Sequence, residues 1–409
     1  MKKTGWKAVL AWSWAAALLL VMALGAAAQS AQELRVGLLA PLTGSYAPVG
    51  SEMVLGFQMY LEEVGHRFGP VAVTVVSEDT MLNPGVALTK ARKLVDSDGV
   101  HVLTGIVSAP ATYAIRDYVE DRRVPTVVSV AAGDDVTQRL RAEYIVRLGW
   151  GASSQTGHPF GAYVAGELNY RRVVIIADDF AFGHEWVGGF ERTFTEAGGT
   201  VVRKLWVPLG SNDFSPYLAQ IPSDVDAVVA AVVGPPAIRF IKQYEDFGFK
   251  AFIPLVTVGH MTDESILTQM SDEASGIVSV LHYSSQLDNP ENAAFVQAFR
   301  ARFGKNPSAY AEAGYTTALW LDRAISSLGR VPSDPAELLA AIKAVGQVDA
   351  PRGPLSLDAY GNAVQNVYVR RVERVGGQLV NRVIQTFPAV SQFWTWDPEE
   401  YLQNPVYAR

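Results

Sequence analysis

From residue 34 onward, short runs of β-branched and aliphatic residues alternate with longer stretches whose apolar positions recur every three to four residues. Residues 34–39, 71–77, 101–104 and 126–130 read as strands, with helices over 49–66, 84–97 and 109–122. In the first helix Val54, Phe57, Tyr60 and Leu61 share one face. The pattern restarts with a helix over 154–168, followed by strands at 172–178, 200–207, 227–233, 252–258 and 276–283. Helices over 183–197 and 237–247 lie between them, and helices over 290–303 and 313–328 follow. The last third closes on a hairpin, 366–375 with 378–385, turning at Gly376-Gly377. Apolar strands each followed by an amphipathic helix build a parallel sheet covered on both faces. Two such series with no Ser/Pro-rich linker predict two α/β lobes joined by ordinary strands. Sheets of this kind bind ligands beyond the carboxyl ends of their strands, so facing lobes would enclose a cleft.

The residues before this pattern change the picture of where the chain works. Lys2, Lys3 and Lys7 precede an apolar run over 9–24, and Ala26-Ala27-Ala28 supplies small residues for cleavage. This is the layout of a secretory signal peptide spanning 1–28. No later stretch reaches the roughly 20 uninterrupted apolar residues of a spanning helix, so a soluble mature chain is expected. Losing three lysines takes the formal charge from −7 to −10, which argues against a nucleic-acid partner. The chain has no cysteine, which removes disulfides, thiolate metal sites, cysteine nucleophiles and a lipidated membrane tether together. A free periplasmic protein is the expectation.

Specific segments then carry a resemblance. Val36-Gly37-Leu38-Leu39-Ala40-Pro41-Leu42-Thr43-Gly44 resembles the opening strand and turn of the type I periplasmic binding proteins, typified by the leucine/isoleucine/valine receptors of ABC importers. Thr104-Gly105-Ile106-Val107-Ser108, Val124-Pro125-Thr126-Val127-Val128-Ser129 with Ala131-Ala132, and Asp178-Asp179-Phe180-Ala181-Phe182-Gly183 are similar to further family segments in the expected order. Ala197-Gly198-Gly199-Thr200-Val201-Val202, Asn212-Asp213-Phe214-Ser215 and Pro351-Arg352-Gly353-Pro354 complete the set. The resemblance implies two Rossmann-like lobes with parallel central sheets joined by three crossover strands, near 147–151, 278–283 and 355–360. It divides the chain into a first lobe of 31–148 plus 283–355, a second of 149–278 plus 360–390, and a tail of 391–409. It also implies a monomer without a cofactor that hands a small solute to an inner-membrane ABC permease.

For the site, an anion wants the backbone N–H groups of a helix N-terminus, supported by hydroxyls. Ser108 and Ala109 open one helix, and Ser129, Ala132 and Gly133 make the neighbouring turn, so together they are read as a carboxylate cradle. Ser108 as a plain N-cap is the simpler alternative. Departures from the family pattern point to the ligand. Amino-acid receptors of the family place a threonine after the two alanines, where this chain has Gly133. They place an acid after the strand equivalent to 252–258, where this chain reads Thr257-Val258-Gly259-His260-Met261. The usual tyrosine is Phe182. A buried ammonium without an anion is costly, so the expected ligand is an aromatic or otherwise apolar carboxylate, with a branched-chain amino acid as the alternative. Trp150, Phe180, Phe182, Val233, Pro235-Pro236 and Tyr283 are expected to line the rest, and His260 to donate to a ligand oxygen. The segments Arg147-Leu148-Gly149-Trp150, His158-Pro159-Phe160-Gly161 and Gln392-Phe393-Trp394-Thr395-Trp396-Asp397-Pro398 resemble a family branch associated with aromatic carboxylates.

Other chemistry finds no motif. The histidines form no HExxH or other ligand spacing, and no nucleophile elbow, phosphate loop or nicotinamide fingerprint stands in strand–helix context. Asp178-Asp179 is read as a solvent-facing cap of the following helix, and His184 as exposed. A receptor is therefore expected, with a sensory ligand-binding domain as the alternative from another class.

Overall fold

The computed structural model describes residues 33–407. The expected leader, 1–28, lies outside the described residues, as does the end of the expected tail, 408–409. The first sheet is built from β1 (Glu33–Ala40), α1 (Ala47–Glu63), β2 (Arg67–Phe68), β3 (Val71–Asp79), α2 (Pro84–Arg92), β4 (Val102–Gly105), α3 (Ala109–Arg122), β5 (Thr126–Val128) and β6 (Ile145–Arg147). Its strand order is β2-β3-β1-β4-β5-β6, parallel except for the short antiparallel β2.

The chain then crosses to a second sheet through α4 (Ser153–Gly166), β7 (Arg172–Asp178), α5 (Ala181–Glu196), β8 (Thr200–Val207), α6 (Ser215–Leu218), β9 (Ala227–Ala231), α7 (Pro236–Asp246), β10 (Leu255–Val258), α8 (Glu264–Leu267) and β11 (Val278–Leu281). It returns with α9 (Pro290–Phe303), α10 (Ala309–Leu328) and α11 (Pro335–Lys343), and α10 packs along α1 of the first lobe. Finally β12 (Val348–Ala350), β13 (Gly353–Leu357), β14 (Ala363–Val375) and β15 (Gln378–Val390) extend the second sheet, and α12 (Pro398–Gln403) follows. That sheet runs β12-β13-β14-β11-β10-β9-β7-β8, with β15 on β14. The protein is thus a two-lobed α/β fold, with a parallel sheet in the first lobe and, in the second, five parallel strands (β7–β11) continued by the antiparallel β12–β15.

Several boundaries differ from the sequence expectation for identifiable reasons. The strand expected over 252–258 begins only at Leu255, because Phe249–Ala251 forms a tight turn and Pro254 brings no N–H to a ladder. The helix expected from 313 starts at Ala309, where the Ser308 hydroxyl accepts from the Ala311 N–H at 3.1 Å. The helix expected over 84–97 is regular to Arg92 and ends in a wider π turn, Lys93–Ser97. Residues up to 355 were expected with the first lobe. The structure instead pairs 348–357 into the second sheet, because β13 folds back antiparallel on β14 with Leu355 opposite Gln365.

Three arginines are fully buried: Arg147 at the end of β6, Arg352 in the β12–β13 turn and Arg370 within β14. Arg147 donates from Nε to the Asn362 side-chain oxygen at 2.7 Å and from a terminal nitrogen to the Thr137 hydroxyl at 2.6 Å. Arg352 pairs with the equally buried Glu312, its Nε 2.9 Å from one carboxylate oxygen. Arg370 donates to the carbonyls of Tyr283 at 2.7 Å and Gly259 at 2.9 Å.

Candidate functional site

A cavity of about 200 Å³ opens where the carboxyl ends of the two sheets face each other. Successive strand ends build its wall, as the doubly wound topology requires. After β1 the turn presents Tyr46; after β4, Gly105 (φ +88°) turns the chain toward Ser108 at the start of α3. The turn after β5 contributes Ala132 and Gly133, and the second lobe supplies Phe180 and Phe182 after β7, Val233 and Gly234 after β9, and His260 after β10. No Asp, Glu, Lys or Arg among the described residues lines this cavity. Its polar side chains are Tyr46, Ser108, His260 and Tyr310.

One side of the cavity is rich in donors. Ser108 caps α3, its hydroxyl accepting from the Ala111 N–H at 3.4 Å. Among the described residues no acceptor meets the N–H of Ala109, Ala132 or Gly133. Helix α3 thus offers the positive end of its dipole and open amides to the cavity. Gly133 is required by close approach: a Cβ there would lie 2.6 Å from the Ala109 Cβ and 2.8 Å from the Tyr113 hydroxyl.

The opposite side is aromatic. His260 lies between Phe182 and Trp150, with ring centroids 4.8 Å and 5.2 Å away. Burial, reinforced by the Arg370 charge, pushes its pKa down to about 3, so the imidazole is neutral, and its Nδ1 has no partner in the protein. The Tyr46 hydroxyl is likewise buried and unpartnered; burial, then the negative charge of Asp178, raise its pKa. Asp178 is itself buried and accepts from the Val233 N–H at 2.9 Å, and burial pushes its pKa up to about 7.

Of the residues expected at the site, Ser108, Ala109, Ala132, Gly133, Phe182 and His260 come together on this wall, with Phe180 and Val233. Five do not reach it. Ser129 is sealed beneath the turn, its hydroxyl 3.0 Å from that of Thr317 and 3.3 Å from that of Thr104. Trp150 stands behind the wall, stacked on Tyr310 at 5.3 Å and edge-on to His282 at 4.3 Å. Tyr283 is fully buried and donates to the Asn292 side-chain oxygen at 2.9 Å, because it lies beyond β11 against α9 rather than across the cleft. Pro235-Pro236 also stays off the wall; Gly234 takes that place. The Asp178-Asp179 expectation is corrected too. Asp178 is internal, while Asp179 binds His184 at 2.8 Å, and His184 packs against Trp206 at 4.0 Å instead of being exposed.

Sequence reasoning missed Tyr46, Leu82, Leu209 and Tyr310. The first three follow strands β1, β3 and β8, so the strand-end rule applied to every strand would have found them. Tyr310 enters from α10, a helix with no sequence signal linking it to the cleft.

Comparison with known proteins accords with this geometry. Residues 33–378 match the family described as periplasmic binding protein. The sequence is 32% identical over 378 residues to Leu/Ile/Val-binding protein homolog 6 of Brucella melitensis, covering 90% of this chain and 95% of that one. A solute-binding protein of an ABC transporter from R. palustris, solved in complex with benzoate, is 33% identical with a TM-score of 0.81, covering 88% of this chain and 98% of that one. Another, from Rhodopseudomonas palustris BisB5 in complex with 3,4-dihydroxybenzoic acid, is 30% identical with a TM-score of 0.83 and the same coverages, 88% and 98%.

Proposed function

The chain belongs to the periplasmic binding protein family, and on that premise we propose that it is the periplasmic receptor of an ABC importer, capturing a small aromatic carboxylate and delivering it to an inner-membrane permease. The observation that carries this reading is the wall of the cleft: open amides at one end, aromatic rings at the other, and no charged side chain among its described residues. A carboxylate docks on the amides of Ala109, Ala132 and Gly133 with Ser108 beside them. Its ring lies against Phe180 and Phe182, and neutral His260 and Tyr46 meet polar edges. Trp150 supports His260 and Tyr310 from behind. The ligand contacts both lobes, so its binding energy shifts the population toward the closed form, which presents both lobe faces to the permease. The hinge lies at the crossings after β6, after β11 and ahead of β12. No bond is made or broken.

The names of relatives such as the Brucella protein favour a second reading, a branched-chain amino acid. The wall speaks against it, since an α-ammonium buried here would have no carboxylate partner. A thermal-shift and calorimetric panel of benzoate, hydroxybenzoates, leucine and valine separates the two. A true ligand at a hundredfold its Kd stabilises by about 2.7 kcal/mol. Stabilisation by aromatic acids alone is expected; stabilisation by leucine or valine without any from the aromatic acids would overturn the choice, and turnover of a bound compound would overturn the receptor reading.

A further inference from the structure

At the rim of the cleft, β3 runs into α2 through a turn that breaks a local rule. Met81 and Leu82 are adjacent, both carry side chains, and both have positive φ, 52° and 54°. No other two consecutive non-glycine residues among the described ones do so. The Asn83 N–H donates to the Thr80 carbonyl at 2.8 Å, closing a four-residue turn with both middle residues left-handed. Turns with positive φ at both middle positions take Asn, Asp or Gly, because a Cβ there crowds the backbone. The surroundings hold the conformation firmly. Asp79 accepts from the N–H groups of both Met81 and Leu42 at 2.8 Å, Thr80 N–H donates to the Ala40 carbonyl at 2.8 Å, and Asn83 caps α2.

What this conformation achieves is visible on either side of it. Met81 is 61% exposed, so its side chain has little packing reason to be methionine. Leu82 lines the cavity, and Leu209, 40% exposed, lines the same cavity from the other lobe. Strained backbone persists where the fold over-determines it, characteristically at binding sites. We infer that the Met81–Leu82 turn is a strained specificity rim: it presses Leu82, opposite Leu209, onto an uncharged part of the ligand and disfavours polar substituents there. This rests on the cleft being the ligand site, as proposed above.

The test compares wild type with Leu82→Asn and Met81→Asn. Asparagine has as many side-chain heavy atoms as leucine or methionine and accepts left-handed φ, so each variant relieves strain while keeping a side chain at the position. Ligand-free Tm is read first, then Kd for benzoate, 3,4-dihydroxybenzoate, leucine and valine. Met81→Asn raises the ligand-free Tm and leaves every Kd within twofold. Leu82→Asn keeps the ligand-free Tm at or above wild type, weakens benzoate about tenfold or more through the lost apolar contact, and weakens the dihydroxy acid less. A lower ligand-free Tm for Leu82→Asn, or equal effects on both acids, overturns the rim. If wild type binds leucine and not the acids, the proposed ligand fails by itself, and the rim is then read from the loss of leucine affinity at unchanged ligand-free Tm.

Discussion

Gly133→Thr installs the residue that amino-acid receptors of this family are expected to carry at the position, and the structure gives its consequence. Gly133 has φ −44°, which any residue adopts, so the effect is steric and not conformational. A Cβ would stand 2.6 Å from the Ala109 Cβ, a methyl fixed to the first residue of α3 that cannot rotate away, and 2.8 Å from the Tyr113 hydroxyl. Overpacking of this kind costs about 1–3 kcal/mol. At about 2–4 °C per kcal/mol for a large domain, Tm falls by roughly 2–12 °C. Relief requires the start of α3 to move, which carries the Ala109 amide away from the carboxylate position proposed above. Affinity for aromatic acids therefore drops in parallel, and Gly133→Ala shows most of the same loss because Cβ itself makes the clash. Differential scanning calorimetry gives the stability, and isothermal titration with benzoate and leucine gives the affinities. A Gly133→Thr protein with wild-type Tm and undiminished benzoate binding would refute the steric argument; a gain of leucine binding would refute the ligand argument.

Ser108→Ala removes the cap of α3 and costs about 1 kcal/mol of stability; titration should show benzoate weakened while uncharged benzamide is unaffected. Asp178 has its pKa raised by burial from 3.8 to about 7, so the folded state prefers the protonated acid. The stability it contributes is complete below pH 3.8 and lost as pH rises through about 7. Tm measured from pH 4 to 8 should therefore fall less steeply in Asp178→Asn than in wild type, with a residual slope from Asp134 and Glu185, whose pKa values burial also raises. Arg352→Met leaves Glu312 buried without its cation. Denaturant titration should show a loss of about 3–5 kcal/mol, recovered in large part when Glu312→Leu is added.

The lobes were legible because strands buried on both faces appear as uninterrupted apolar runs, such as Val173-Val174-Ile175-Ile176 and Ala227-Val228-Val229-Ala230. The strands that escaped, β2, β6, β12 and β13, have two to five residues and mixed composition, too short for a period to register. The site was legible to the depth of one rule. Strand ends in such a fold point at the cleft, and that placed Ser108, Ala132, Phe182 and His260. The rule does not say which of neighbouring residues faces the ligand. Ser129 and Ala132 share a turn, yet the hydroxyl of one turns inward to Thr104 and Thr317 while the other meets the cavity. Asp178 and Asp179 are adjacent, yet one is internal and the other reaches His184. Contacts made by returning segments, Tyr310 above all, depend on packing between elements far apart in sequence.

The buried arginines are the least legible feature, and they bear on why the ligand should be an anion. A charged residue within a strand pattern normally reads as a solvent-facing position. Here Arg147 at the end of β6, Arg352 in the β12–β13 turn and Arg370 within β14 are enclosed, each with its guanidinium bonded to carbonyls, a carboxylate or polar side chains. Directional bonds of this kind fix the register of a crossing segment in a way that apolar packing, tolerant of slip, does not. Arg352 is neutralised by Glu312, but Arg370 leaves positive charge behind a cavity whose own wall is uncharged. At His260 the Arg370 charge adds to burial in holding the ring neutral, while Glu264 and Asp263 face Arg370 in turn. A field that opposes a second cation favours an anion in the same space. A carboxylate without an ammonium gains from it outright, whereas a zwitterion returns most of that gain through its own positive end.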